Sequence, residues 1–143
     1  MDFGKMTQKP WIPVAAIIGV TYAIVGIVFA LPPTHAQMWR LAAWAASAAA
    51  FAAHICYERF RLANSPSRAG LHVAFATALG AFGLAVSANI HALWIGSPAQ
   101  HRLLLMLSLG LWPLITGAPA FCVALAASWL LAAVIDVVRR RWR

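Results

Sequence analysis

HICYERFRLANSPSRAGLH, residues 54–72, is the only dense polar run away from the chain ends. It holds Glu58, Arg59, Arg61 and Arg68, and a histidine closes it on each side. Asn64-Ser-Pro-Ser67 in its middle is a turn signal, because Pro and the small polar residues favour chain reversal. Long apolar segments flank the run, Trp39–Tyr57 before it and Gly70–Trp94 after it. The pattern predicts a loop joining two membrane helices. Its three arginines place that loop on the cytoplasmic side, where basic residues accumulate.

The composition agrees. The chain has 143 residues, of which 63% are hydrophobic and 10% charged. Soluble domains run nearer ~45–50% apolar and ~25% charged. A domain of this size buries only roughly two thirds of the surface its chain exposes, so lipid must cover the remainder. The expected class is an all-α integral membrane protein of one domain, residues 1–143.

Working outward, residues 1–10 read as a short cytoplasmic lead. The first span is Trp11–Leu31, 21 residues or ~31 Å at helical rise, which matches a hydrocarbon core of ~30 Å. Pro13 is tolerated in a first turn, and Pro32-Pro33 stops the helix. Thr34-His-Ala36 loosely resembles a cleavage site, but the apolar stretch is longer than a signal-peptide core. The second span is 39–57 and the third 70–94, with residues 95–102 as another polar turn.

Leu103–Val138 would be ~54 Å as one straight helix, more than a bilayer needs. Trp112-Pro113 and Gly117-Ala-Pro119 interrupt it. The main span is therefore expected at 117–138, with 103–116 as a kinked or interfacial lead-in. With four spans and both ends inside, Lys5, Lys9, Arg59, Arg61, Arg68, Arg139, Arg140, Arg141 and Arg143 are cytoplasmic. Only Arg40 and Arg102 lie outside. Five spans would divide the basic residues almost evenly, so the charge bias favours four. Trp11 and Trp142 then fall at the inner interface, Trp39 and Trp94 at the outer one. The expected architecture is an antiparallel four-transmembrane-helix bundle in the inner (plasma) membrane, with cytoplasmic N- and C-termini. Cys56 and Cys122 fall at different depths and read as small apolar fillers, since a disulfide needs Cα atoms within about 7 Å.

Helices in lipid pack through small residues that let backbones approach. At three- and four-residue steps these predict one inward face per span. The first carries Ala15, Gly19, Ala23, Gly26 and Ala30, the second Ala43, Ser47, Ala50, His54, Glu58 and Arg61, the third His72, Ala76, Gly80, Gly83, Ser87 and His91. Leu71, Phe75, Leu79, Phe82, Val86 and Leu93 read as lipid-facing. Asn89 falls on that side too, toward head groups or a partner.

Polar residues inside such a bundle are its functional leads, because they are costly in lipid. His54 and Glu58 are one turn apart on one face, and His72 lies at similar depth. Two imidazoles and a carboxylate suit a divalent metal such as zinc or iron. His54 and His72 alone suit the axial positions of a haem. The competing reading is an interfacial polar cluster in which Glu58 pairs with Arg61 or Arg68. His35, His91 and His101 form a second possible group at the outer surface. Tyr22, Ser47 and Ser87 could line a pathway, and Asp136 could couple protons, although pairing with Arg139 or Arg140 is the simpler role.

No glycine-rich phosphate loop, His-Glu-x-x-His or Gly-x-Ser-x-Gly is present, so no enzyme template applies. The net charge of +8 flanks apolar segments and forms no basic face with interleaved aromatics, which argues against nucleic acid. The functional expectation is a non-catalytic accessory or scaffold subunit, partnered by the bilayer and by other membrane subunits or itself. A small oligomeric transporter or channel is the alternative, and a haem- or metal-binding protein the third reading.

Overall fold

The computed structural model describes residues 11–30, 35–96 and 98–142. The cytoplasmic lead, the Pro32-Pro33 stop and Thr34 of the cleavage-like site lie outside the described residues. The chain is all-helical over those residues: α1 Trp11–Val28, α2 Ala36–Cys56, α3 Pro66–Trp94 and α4 Ala99–Arg141. α1, α3 and α4 are each long and apolar enough to cross a membrane, which marks a membrane protein. α2 falls short of that measure because alanine dominates it and Arg40 and His54 interrupt it.

α3 is the axis of the fold. Gly19 of α1 meets Ala76 and Leu79 of α3, Tyr22 meets Gly80, and Gly26 meets Leu84. Both numberings rise together, so α1 and α3 run parallel. On the other side Gly70 meets Phe121 and Leu125, Gly117 meets Ala74 and Ala78, and Asn89 meets Leu105. α4 therefore runs antiparallel to α3. The two seams explain why α3 buries Ala76 and Gly80 on one side and Ala69, Val73, Ala81 and Ala85 besides. A single inward face is too few for a helix packed on both sides.

The small-residue face of α1 forms a seam as far as Gly26: Ala15 and Gly19 are buried and Ala23 and Gly26 touch α3, whereas Ala30, like Arg61 of the second face, is exposed. Two residues expected on the outer side of α3, Leu79 toward lipid and Asn89 toward head groups or a partner, instead meet neighbouring helices. Leu79 fills the space over Gly19. The Asn89 amide donates to the carbonyls of Ala85 and Leu105, both at 2.8 Å. An amide near the bilayer gains more by capturing a carbonyl of the next helix than by facing hydrocarbon, so Asn89 clamps α3 to α4.

The expected boundary between 103–116 and 117–138 is absent: α4 is one unbroken helix of 43 residues. Pro113 and Pro119 lie inside it. Prolines are tolerated in membrane helices that are buried against neighbouring helices. Here α4 is held against α3 on both sides of Pro113, at Leu105 and at Gly117.

α2 stands apart. Trp39 in its first turn meets Phe29 edge-on, with ring centroids 5.7 Å apart, and its last turns join the others, where Ile55, Val73 and Ala124 form a core ringed by Phe51, Ala127 and Leu131. Farther along, α2 leaves a cavity of about 460 Å³ bordered by Tyr22, Trp44, Ser47, Thr77, Gly80 and Trp112. The loop after α2 is shorter than expected. A π-helical turn, Tyr57–Arg61, extends α2, and α3 already begins at Pro66. The Ser65 hydroxyl accepts the Arg68 amide at 3.4 Å and Pro66 occupies the first helical position. Ser-Pro thus starts a helix here, as its capping chemistry allows.

Candidate functional site

The π turn lets the Leu62 amide reach back to the Tyr57 carbonyl at 3.1 Å, and the Asn64 amide to the Glu58 carbonyl at the same distance. Such widened turns are frequent at functional sites. This one ends in Ala63, whose φ of 52° is left-handed, and the chain doubles back over Glu58. Glu58 lies outside the apolar helices, in the loop, yet it is fully buried.

Three side chains converge on its carboxylate. His72 Nδ1 stands 2.9 Å from Oε2. The Asn64 side-chain amide donates to the same oxygen at 2.5 Å. His54 Nε2 faces Oε1 at 3.6 Å, beyond hydrogen-bond range, with both side chains buried. Arg59 donates to the Asn64 backbone carbonyl, which ties the loop to the same point. Trp11 of α1 stacks on the His72 ring, with centroids 4.2 Å apart and planes 2° from parallel.

Burial pushes the Glu58 carboxyl up, but the neighbouring His54, Asn64 and His72 groups outweigh it. Its pKa lies below the ordinary value of 4.5. Glu58 is therefore an anion at neutral pH, and a buried anion needs donors. His72 and Asn64 supply them. Oε1 and both ring nitrogens of His54 take no hydrogen bond.

His54, Glu58 and His72 are thus brought together as the spacing suggested. Their arrangement differs from a ligand set. The two imidazoles take opposite oxygens of one carboxylate, and no three His, Cys, Asp or Glu side chains among the described residues are arranged to hold a metal ion. As haem axial ligands the two rings would have to face each other across a macrocycle, and Glu58 occupies the space between them. The alternative partners also change: Glu58 pairs with His72 and Asn64 in place of Arg61 or Arg68, because the loop folds Asn64 back over it.

No protein family, curated protein or solved structure matches this chain.

The remaining candidates scatter. His35, His91 and His101 are all exposed, as is Asp136. Cys56 and Cys122 are both free and exposed. Ser47 and Tyr22 line the central cavity, and Ser87 is half-buried in α3. Two features escaped sequence reading. Asn64 was visible only as a turn residue, and its role depends on the left-handed Ala63. Trp11 had the signature of an interfacial ring, and its stacking on His72 depends on the parallel pairing of α1 with α3.

Proposed function

We propose that this chain is a non-catalytic accessory or scaffold subunit of the inner (plasma) membrane. It crosses the bilayer four times as an antiparallel bundle with both termini in the cytoplasm. The observation that supports this reading is the length of α4. Its apolar stretch from Leu103 to Val138 is ~54 Å of continuous helix, against a hydrocarbon core of ~30 Å. The portion from Leu105 to Leu125 lies beside α3 and shares its bilayer depth. Ser128 is still buried and Ala127 and Leu131 still pack on the core; the overhang begins after Leu131, where Val134, Val137 and Val138 are exposed. A contiguous apolar surface of that kind beyond the bilayer marks a protein contact. Another membrane protein that rises from the same face is the partner that would cover it.

α2 adds a second reason. It is less apolar than the other helices, and its neighbours in the chain cover only one side of it. Small residues such as Ala45, Ala49 and Ala52 are exposed on its open side, where a partner helix can approach closely.

The test is site-specific photo-crosslinking in native membranes. A probe at Val134 is expected to capture a discrete second chain, while a probe at Leu107 captures lipid. The adduct's mass distinguishes another subunit from a second copy. A folded protein whose Val134 probe yields no protein adduct would sink the scaffold reading. The transporter alternative rests on the central cavity and its Ser47. It requires substrate-dependent flux in liposomes that falls when Ser47 is replaced.

A further inference from the structure

A second cavity, of about 620 Å³, opens between α3, α4 and the start of α1. Its lining is polarised along the helix axis. Arg68, His72 and the Trp11 ring sit at the loop end, and Leu71, Phe75, Leu114 and Ala118 are among the apolar side chains that line it. From Arg68 to Ala78 the lining extends about 15 Å along α3.

The charge at the loop end is uncommitted. The Arg68 guanidinium takes no ion pair among the described residues, where Glu58 is occupied by the histidines and Asn64. Arg68 is exposed and lies in the first turn of α3, where the helix N-terminus adds its own positive potential. His72 contributes a fixed ring. Its Nδ1 donates to Glu58 at 2.9 Å and one face is covered by Trp11, so in the neutral ring Nε2 is left as an acceptor for a head-group hydroxyl, and Arg68 supplies the cation.

We infer that this cavity binds an anionic amphiphile: a phosphate- or carboxylate-headed lipid. Its head lies against Arg68 and His72, and its chain runs along Phe75, Leu114 and Ala118. A cation at one end of an apolar groove matches the two ends of such a molecule. A free anion would leave the groove unfilled, and a neutral lipid would leave Arg68 unpaired. The inference is independent of the scaffold reading, since the α4 residues that line the cavity, Pro113 to Ala118, include none of the overhanging ones.

The experiment is native mass spectrometry of the full chain in an uncharged detergent. The probes are phosphatidylglycerol, phosphatidylcholine of the same chain length, and inorganic phosphate. Phosphatidylglycerol is expected to be retained roughly fivefold better than phosphatidylcholine, the scale of one basic side chain at a membrane surface. Arg68→Gln should bring that ratio close to one. Ala118→Phe, at an exposed position that tolerates bulk, should lower retention of both lipids. Thermal melts of both variants check that they fold. Equal retention of the two lipids by the native chain would overturn the proposal. So would an unchanged ratio in Arg68→Gln, which would assign the preference to the C-terminal arginines. Retention of inorganic phosphate as strong as that of the lipid would show a free-anion site instead.

Discussion

Glu58 is the residue on which the loop turns. It is the one acid among the described residues that is buried, and its partners come from α2, the loop and α3. Replacing it with alanine leaves Asn64 and His72 without their acceptor. Loss of one member of a buried, hydrogen-bonded pair costs about 3 kcal/mol, and a detergent-phase thermal melt should show that loss. The pH dependence has a definite sign. The folded-state pKa is depressed below 4.5, so the carboxylate's contribution is complete above that value and is lost as pH falls through the lower folded one. Melts of the native chain between pH 6 and pH 3 should therefore show a drop that Glu58→Gln lacks. An identical acid profile in both would mean that other groups govern the transition.

At the level of elements, glycine marks where helices touch and where they do not. A Cβ on Gly80 would stand 2.5 Å from the Tyr22 Cβ and 3.0 Å from the Gly19 carbonyl oxygen. Neither can yield without separating α1 from α3. Gly80→Ala is expected to destabilise by about 1–3 kcal/mol, the usual cost of overpacking. Gly110 in α4 has nothing within 4 Å of the same position. Gly110→Ala should stabilise by roughly 0.8 kcal/mol through helix propensity alone. Melting the two variants side by side checks the seam, and equal effects would contradict it. The same elements show how proline reads in context. Pro66 begins α3, and Pro113 and Pro119 are carried within α4. Each has the same fixed φ and the same missing donor. Their consequences differ because Ser65 caps α3 at its start, whereas α4 is held against α3 on both sides of Pro113, at Leu105 and at Gly117.

For the whole molecule, the directions of the helices carry a topological consequence. α1 parallel to α3, with α4 antiparallel to both, requires α2 to return the chain across the same thickness. In the proposed four-crossing arrangement both ends lie on the side of the Arg59–Arg68 loop. Reporter fusions at residues 1 and 143 should both report the cytoplasm, and a fusion in 95–98 the opposite side. A C-terminal reporter outside would remove one crossing and with it the proposed bundle. The overhanging end of α4 and the weakly held α2 both lie away from the α1–α3–α4 seams. The parts of the molecule free to meet a partner are those its own packing leaves uncovered.

Composition and local pattern determined the membrane class, the helical content and the inward faces of α1 and α2. Burying backbone polar groups in lipid permits little but helices, and small residues every three or four positions show where helices can approach. They also brought His54, Glu58 and His72 to one depth. Tertiary structure alone decided what those residues do. The pairing of Glu58 with Asn64 depends on a left-handed Ala63 and a π turn, neither of which leaves a periodic trace. The two buried sides of α3 follow from its central position, and the Asn89 clamp from the register of α4. The continuity of α4 through two prolines also depends on its surroundings: packing against α3 on both sides of Pro113, not the proline ring, settles whether the helix ends there.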